Sequence, residues 1–151
     1  MKKVVIAIDY HPSSEKVTQE GYKLAKKVGA EVCLLHVLAE THYYSMNYPS
    51  FLGYDGYSYA IEATVNTEIE KIANDFLKQA TAHLNDDTVK THIAKGETAT
   101  SILNYAKEWQ ADLIVMGTHS HSALEKLLMG TEATKVLEKT EVPVFMVPVK
   151  K

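Results

Sequence analysis

The chain has 151 residues, 46% of them hydrophobic, which is enough apolar material for a single globular domain with a proper core, residues 1–151. Its formal net charge of −3 gives no overall attraction to nucleic acid or to an anionic membrane, so neither is expected as a partner. All 16 basic residues are lysines, which argues against bidentate readout of phosphate or guanine edges, chemistry that favours arginine.

In chain order, two lysines precede an apolar run over residues 4–8 that stops at Asp9. The run is too short for a signal-peptide core or a membrane span, so a cytoplasmic location is expected. Its unbroken apolar character predicts a strand covered on both faces. His11-Pro12-Ser13-Ser14 then breaks the chain and offers helix N-caps; Val17, Leu24, Ala25 and Val28 recur at helical spacing until Gly29. A second apolar strand is predicted over Glu31–Leu38. It carries Cys33, the only cysteine, which reads as a buried structural thiol with no intramolecular disulfide partner.

Residues 41–59 hold six of the nine tyrosines together with Pro49, Gly53 and Gly56, and show no sustained period. An irregular tyrosine-rich segment is expected at about residues 41–60. A lid, a dimer contact, a partner surface and a loop packed on its own rings all fit its half-polar rings. Ile61, Val65, Ile69, Ile72, Ala73, Phe76, Leu77 and Ala80 mark a long amphipathic helix. A turn at Asn85-Asp86-Asp87 leads to a third strand over residues 89–94, and residues 98–109 supply a helix with Ile102, Leu103 and Ala106 inward. Residues 113–116 form a fourth strand ending at Gly117, and helices are expected around residues 124–129 and 133–137. The last strand is expected over residues 142–149. Pro143 and Pro148 bracket it and mark a sheet edge or a subunit border. Alternating strands and helices predict an α/β fold, a parallel sheet with right-handed crossovers and helices on both faces.

In doubly wound sheets, ligands bind beyond the strands' carboxyl ends where strand order reverses. Asp9, Val37 and Gly117 close strands one, two and four. Asp9 could accept from a ribose hydroxyl or cap a turn with Ser13 or Ser14. Gly117 and Gly130 could be ordinary turn and cap glycines. The pair brackets a segment with a capping-box start, Ser122-Ala-Leu-Glu125, and Gly130-Thr131 opens a helix. Backbone N–H groups and a helix dipole at such a place make an anion cradle suited to a nucleotide's phosphates. Neither Gly-x-x-x-x-Gly-Lys-Ser/Thr nor Gly-x-Gly-x-x-Gly is present. His119-Ser120-His121 could be half of a metal site with His11 or His42. Solvated histidines, or one donating to phosphate, fit the loop better. No serine triad is discernible, and Glu97, Glu125 and Glu138 read as solvated helix surface.

Five stretches, Val4-Val-Ile-Ala-Ile-Asp9, Leu34-Leu-His-Val37, Lys95-Gly96, Asp112-Leu-Ile-Val-Met-Gly-Thr-His119 and Val142-Pro-Val-Phe-Met-Val-Pro148, stand out along the chain. Together they resemble the universal stress protein family, and the likeness runs over nearly the whole chain. The resemblance implies a doubly wound five-stranded parallel sheet of order 3-2-1-4-5, the adenine nucleotide alpha hydrolase-like arrangement. It also implies a homodimer in which the last strands, residues 142–149, pair across a two-fold axis.

ATP-binding members carry Gly-x-x-Gly-x9-Gly-Ser/Thr, and that register falls here on Gly117, Ser120, Gly130 and Thr131, with Ser120 in the place of the second glycine. By resemblance, Asp9 would contact the ribose and the Val37 backbone the adenine. Gly117, Gly130 and Thr131 would hold phosphates, and Ala7, Ile8 and Met116 would line the pocket. Glu132 stands where a small apolar residue is usual. A carboxylate there steadies an empty helix N-terminus and repels a triphosphate if it points inward. The implied ligand is ATP, ADP or AMP, with Mg2+ held through phosphate and water. The implied function is a stress-response binding or regulatory module acting on an unidentified protein partner. The alternatives are a dimeric interaction protein of the same fold that does not use nucleotide, and a slow ATPase motivated only by the nearby histidines.

Overall fold

The computed structural model of the chain describes residues 1–39, 55–118 and 130–149, with residues 55–64 as backbone only. The predicted alternation is present. Strand β1 (Lys3–Ala7) leads to α1 (Ser14–Lys27), β2 (Glu31–Leu38), α2 (Asp55–Ala82) and β3 (Lys90–Lys95). Helix α3 (Thr98–Glu108), β4 (Leu113–Gly117), α4 (Thr131–Lys139) and β5 (Val144–Val147) complete the described elements. All strand pairs are parallel, and the sheet order is β3-β2-β1-β4-β5, as the family resemblance implies.

The two-residue period of the strands divides the core into two layers. Val4, Ile6 and Ile8 of the β1 segment pack with Val32, Leu34 and Val115 against α1 and α2 through Val17, Ala25 and Leu77. Val5 points the other way and joins Leu35, Ile114 and Met116 against α3 and α4, through Ala99, Ile102, Ala106, Ala133 and Val136. Val4, Val5, Ile6, Leu34, Leu35, Ile114 and Val115 have no exposed surface. Each such side chain contributes about 1.5–3 kcal/mol on burial, which explains why residues 4–7 of β1, 32–35 of β2 and 113–116 of β4 read as unbroken apolar runs. The layering is that of right-handed crossovers: α1 and α2 lie on one face of the sheet, α3 and α4 on the other.

Helix α1 lies close on the sheet because Gly21 has no side chain. A Cβ there would stand 2.9 Å from both Ile6 Cδ1 and Val115 Cγ1. Gly29 follows the last turn of α1 as expected, with Ala30 N–H donating to Ala25 O (2.9 Å) and Gly29 N–H to Lys26 O (3.2 Å).

Four expectations need correction or placement. The irregular segment ends earlier than about residue 60, since α2 begins at Asp55 and includes Tyr57 and Tyr59. An acidic residue at the helix start outweighs the turn-forming character of Gly56. The rest of that segment, residues 40–54, and the helix expected at 124–129 lie outside the described residues. Strand β5 is shorter than 142–149, because the two prolines flank it rather than sit within it. Finally, Ser13 holds the N-cap position of α1 but makes no side-chain cap bond. No helix of the described residues is long and apolar enough to cross a membrane.

Candidate functional site

Strand order reverses between β1 and β4, and at that point a crevice of about 830 Å³ opens at the carboxyl ends of the strands. Its wall takes Ala7, Ile8 and Asp9 from the end of β1, Val37 from β2, and Met116 and Gly117 from β4. Gly130, Thr131 and Glu132 come from the start of α4. Nine of the ten site residues expected from the sequence therefore line one cavity, while Ser120 lies outside the described residues. The same holds for His119 and His121 of the suggested metal pair. Among the described residues no group of three or more His, Cys, Asp or Glu side chains is placed to hold a metal ion.

Asp9 occupies a turn built from its own side chain. Its Oδ1 accepts from the Ser14 hydroxyl (2.9 Å) and from the His11 N–H (3.0 Å), and its N–H donates to Ser14 Oγ (3.0 Å). The first hydroxyl of α1 is thus turned back to orient the carboxylate. The turn reading and the crevice position hold together, because the same turn that caps the β1–α1 junction presents Asp9 at the wall. On the opposite side, Gly130 is the N-cap of α4 with φ 84° and ψ 148°, a backbone region open to glycine alone. Gly130 O accepts from the N–H of Thr134 (3.1 Å) and from its hydroxyl (2.9 Å), which fixes the first turn. The first residues of α4, with the positive end of its dipole, lie at this end of the crevice.

Glu132 does not hang loose. Its Oε2 accepts from the Ala99 N–H in the first turn of α3 (3.1 Å), and its Oε1 pairs with Lys135 Nζ (3.2 Å). Lys135 also reaches Glu97 Oε1 (3.2 Å). Glu97 is exposed, as expected of a solvated surface, and it is also the N-cap of α3, accepting from Thr100 N–H at 2.8 Å. Bonds from Thr100 and the charge of Lys135 hold its carboxyl down at about 2. Two of the leading N–H groups of helix α3, those of Ala99 and Thr100, are therefore filled by carboxylates of the chain itself.

Several wall residues escape the sequence reading. His36 is 4% exposed, and its Nδ1 donates to Ile8 O at 2.9 Å. Its ring lies 4.4 Å from that of Tyr10 and 5.4 Å from that of Phe76, centroid to centroid. Tyr10, Thr98 and Ile102 also line the crevice. A signal for His36 does exist, as a polar residue inside an apolar strand near its carboxyl end; Thr98 and Ile102 reach the site only through the packing of α3. Cys33 lies away from the crevice wall, fully buried, with Sγ 3.2 Å from Tyr105 Oη and its thiol pushed up by burial.

A sequence model described as the Universal stress protein family matches residues 1–148. Among known proteins, Universal stress protein YxiE of Bacillus subtilis is 31% identical over 147 residues, covering 96% of this chain and 97% of that one. Universal stress protein MJ0531 of Methanocaldococcus jannaschii is 28% identical over 148 residues, 97% of this chain and 81% of that one. Among solved structures, the protein MJ0577 superposes with a TM-score of 0.77 at 23% identity, over 99% of this chain and 97% of that one. A universal stress protein in complex with cAMP gives 0.66 at 18% identity, over 97% and 96%. One from Archaeoglobus fulgidus in complex with dAMP gives 0.62 at 18%, over 97% of each.

Proposed function

The chain belongs to the universal stress protein family, and we propose that it is a binding module: a homodimer that holds an adenine nucleotide in the crevice and changes its affinity for a protein partner with occupancy. One observation carries the reading. Asp9, Val37, Gly117 and the Gly130-Thr131 helix start, drawn from four separate stretches of the chain, line a single cavity at the reversal of strand order. In this assignment Asp9, steadied by Ser14 and the His11 N–H, accepts from the ribose. The Val37 backbone meets the adenine beside Ala7, Ile8 and Met116, and Gly117, Gly130 and Thr131 hold phosphate. The chemistry is hydrogen bonding to N–H groups and a helix dipole, with no need of arginine. Two structural neighbours are complexes with cAMP and dAMP, which supports an adenine nucleotide as the ligand class. With ATP, Mg2+ would be held through phosphate and water.

Dimer formation is assigned to the segment 142–149. β5 is the edge strand of the sheet, and Phe145 on it is 40% exposed. An apolar edge of this kind is a ready surface for strand pairing with a second copy.

Nucleotide-stripped protein titrated with AMP, ADP and ATP tests the site. Binding that Gly130→Val abolishes, in a variant whose circular dichroism is unchanged, is the expected result. A nucleotide affinity untouched by Gly130→Val removes the assignment of α4 as the phosphate site.

A further inference from the structure

A ligand in the crevice meets acidic groups. Among the described residues that line it, the carboxylates are Asp9 and Glu132, and none is a lysine. Glu132 is the second residue of α4, next to Thr131 at the cradle itself. It is also anchored. Turning it away from the crevice would strand the Ala99 N–H at the start of α3 and break the pair with Lys135. Lys135, the cation paired with Glu132, is shared with Glu97, so it is already matched by two carboxylates. A phosphate group at the head of α4 gains from that helix's N–H groups and partial positive charge, which amounts to only about half an elementary charge. Every additional phosphate adds negative charge beside Glu132 without a new countercharge on the described wall.

We propose that Glu132 sets the charge preference of this site, so that it takes a nucleoside carrying one phosphate ahead of a triphosphate. The proposal rests on the nucleotide reading above and assigns the ligand's charge class within it. It makes Glu132 a specificity residue as well as the partner of α3.

The test is calorimetric titration of the stripped full-length protein with AMP and with ATP, at fixed ionic strength and without divalent cations. Wild type is compared with Glu132→Gln and Glu97→Gln. In Glu132→Gln the new amide oxygen can still accept from Ala99, so this variant keeps that contact while it loses the charge and the ion pair with Lys135. The wild type is expected to hold AMP at least about tenfold more tightly than ATP. Glu132→Gln should raise ATP affinity about tenfold and move AMP by about threefold or less. Glu97→Gln, which alters the same helix start without lining the crevice, should keep the AMP-to-ATP ratio within about twofold. Equal affinities in the wild type, or equal gains for both ligands in Glu132→Gln, would overturn the charge preference and leave nucleotide binding standing. Failure of both nucleotides to bind either wild type or Glu132→Gln would overturn both readings.

Discussion

Gly130 shows how a single backbone torsion supports a site. At φ 84° and ψ 148° any side chain is strained, so Gly130→Ala should cost about 1–3 kcal/mol in denaturant unfolding. A cost near zero would mean that the α4 start can relax, and with it the cradle. Glu97 makes a second prediction. Its carboxyl sits at about 2 against an ordinary 4.5, so its capping contribution is fully present above pH ~4.5 and is lost as pH falls toward ~2. Glu97→Gln should flatten that part of the acid limb of the stability–pH curve, measured as unfolding midpoints, and an unchanged limb would contradict the cap. At this scale the sequence reveals Asp9, Gly117, Gly130 and Thr131, because turn chemistry is local. It conceals the partners of Glu132 and the roles of Glu97 and His36. The Ala99 N–H lies 33 positions from Glu132 and meets it only when α3 and α4 lie side by side on the sheet.

The elements are readable because most strands are buried on both faces, and β2, expected over Glu31–Leu38, has those limits in the structure. The first turns of α2 are not, because tyrosines and Gly56 conceal there the apolar period that Ile61 later establishes. Nor does periodicity single out Gly21, since a glycine at a helix–sheet contact leaves no apolar mark. Its importance follows from proximity: Ile6 and Val115, which a new Cβ would meet, are fully buried strand side chains with little room to move. Gly21→Val should therefore destabilise the fold by about 2–3 kcal/mol through overpacking, read from the denaturation midpoint at constant slope. A gain in stability, of the kind that replacing glycine in an unencumbered helix gives, would show that α1 can lift from the sheet.

At the level of the whole molecule, alternation of strands and helices predicts a parallel α/β sheet. The order β3-β2-β1-β4-β5 is implied only by the family likeness, since no local pattern says on which side of β1 the fourth strand adds. That order is what gathers residues 7–9, 37, 116–117 and 130–132 around one crevice. It also leaves β5 at an edge with Phe145 outward. Sedimentation of the wild type should give a dimer, and Phe145→Glu should shift it toward monomer by placing like charges across the two-fold contact. A Phe145→Glu dimer of unchanged strength would move the interface elsewhere.

The central claim, that the crevice is a nucleotide site, is tested most directly by calorimetric titration of the stripped protein with AMP. Saturable binding at roughly micromolar strength, one nucleotide per chain, is the predicted result. Absence of heat up to about millimolar AMP, in protein that also carried no nucleotide through purification, would contradict it.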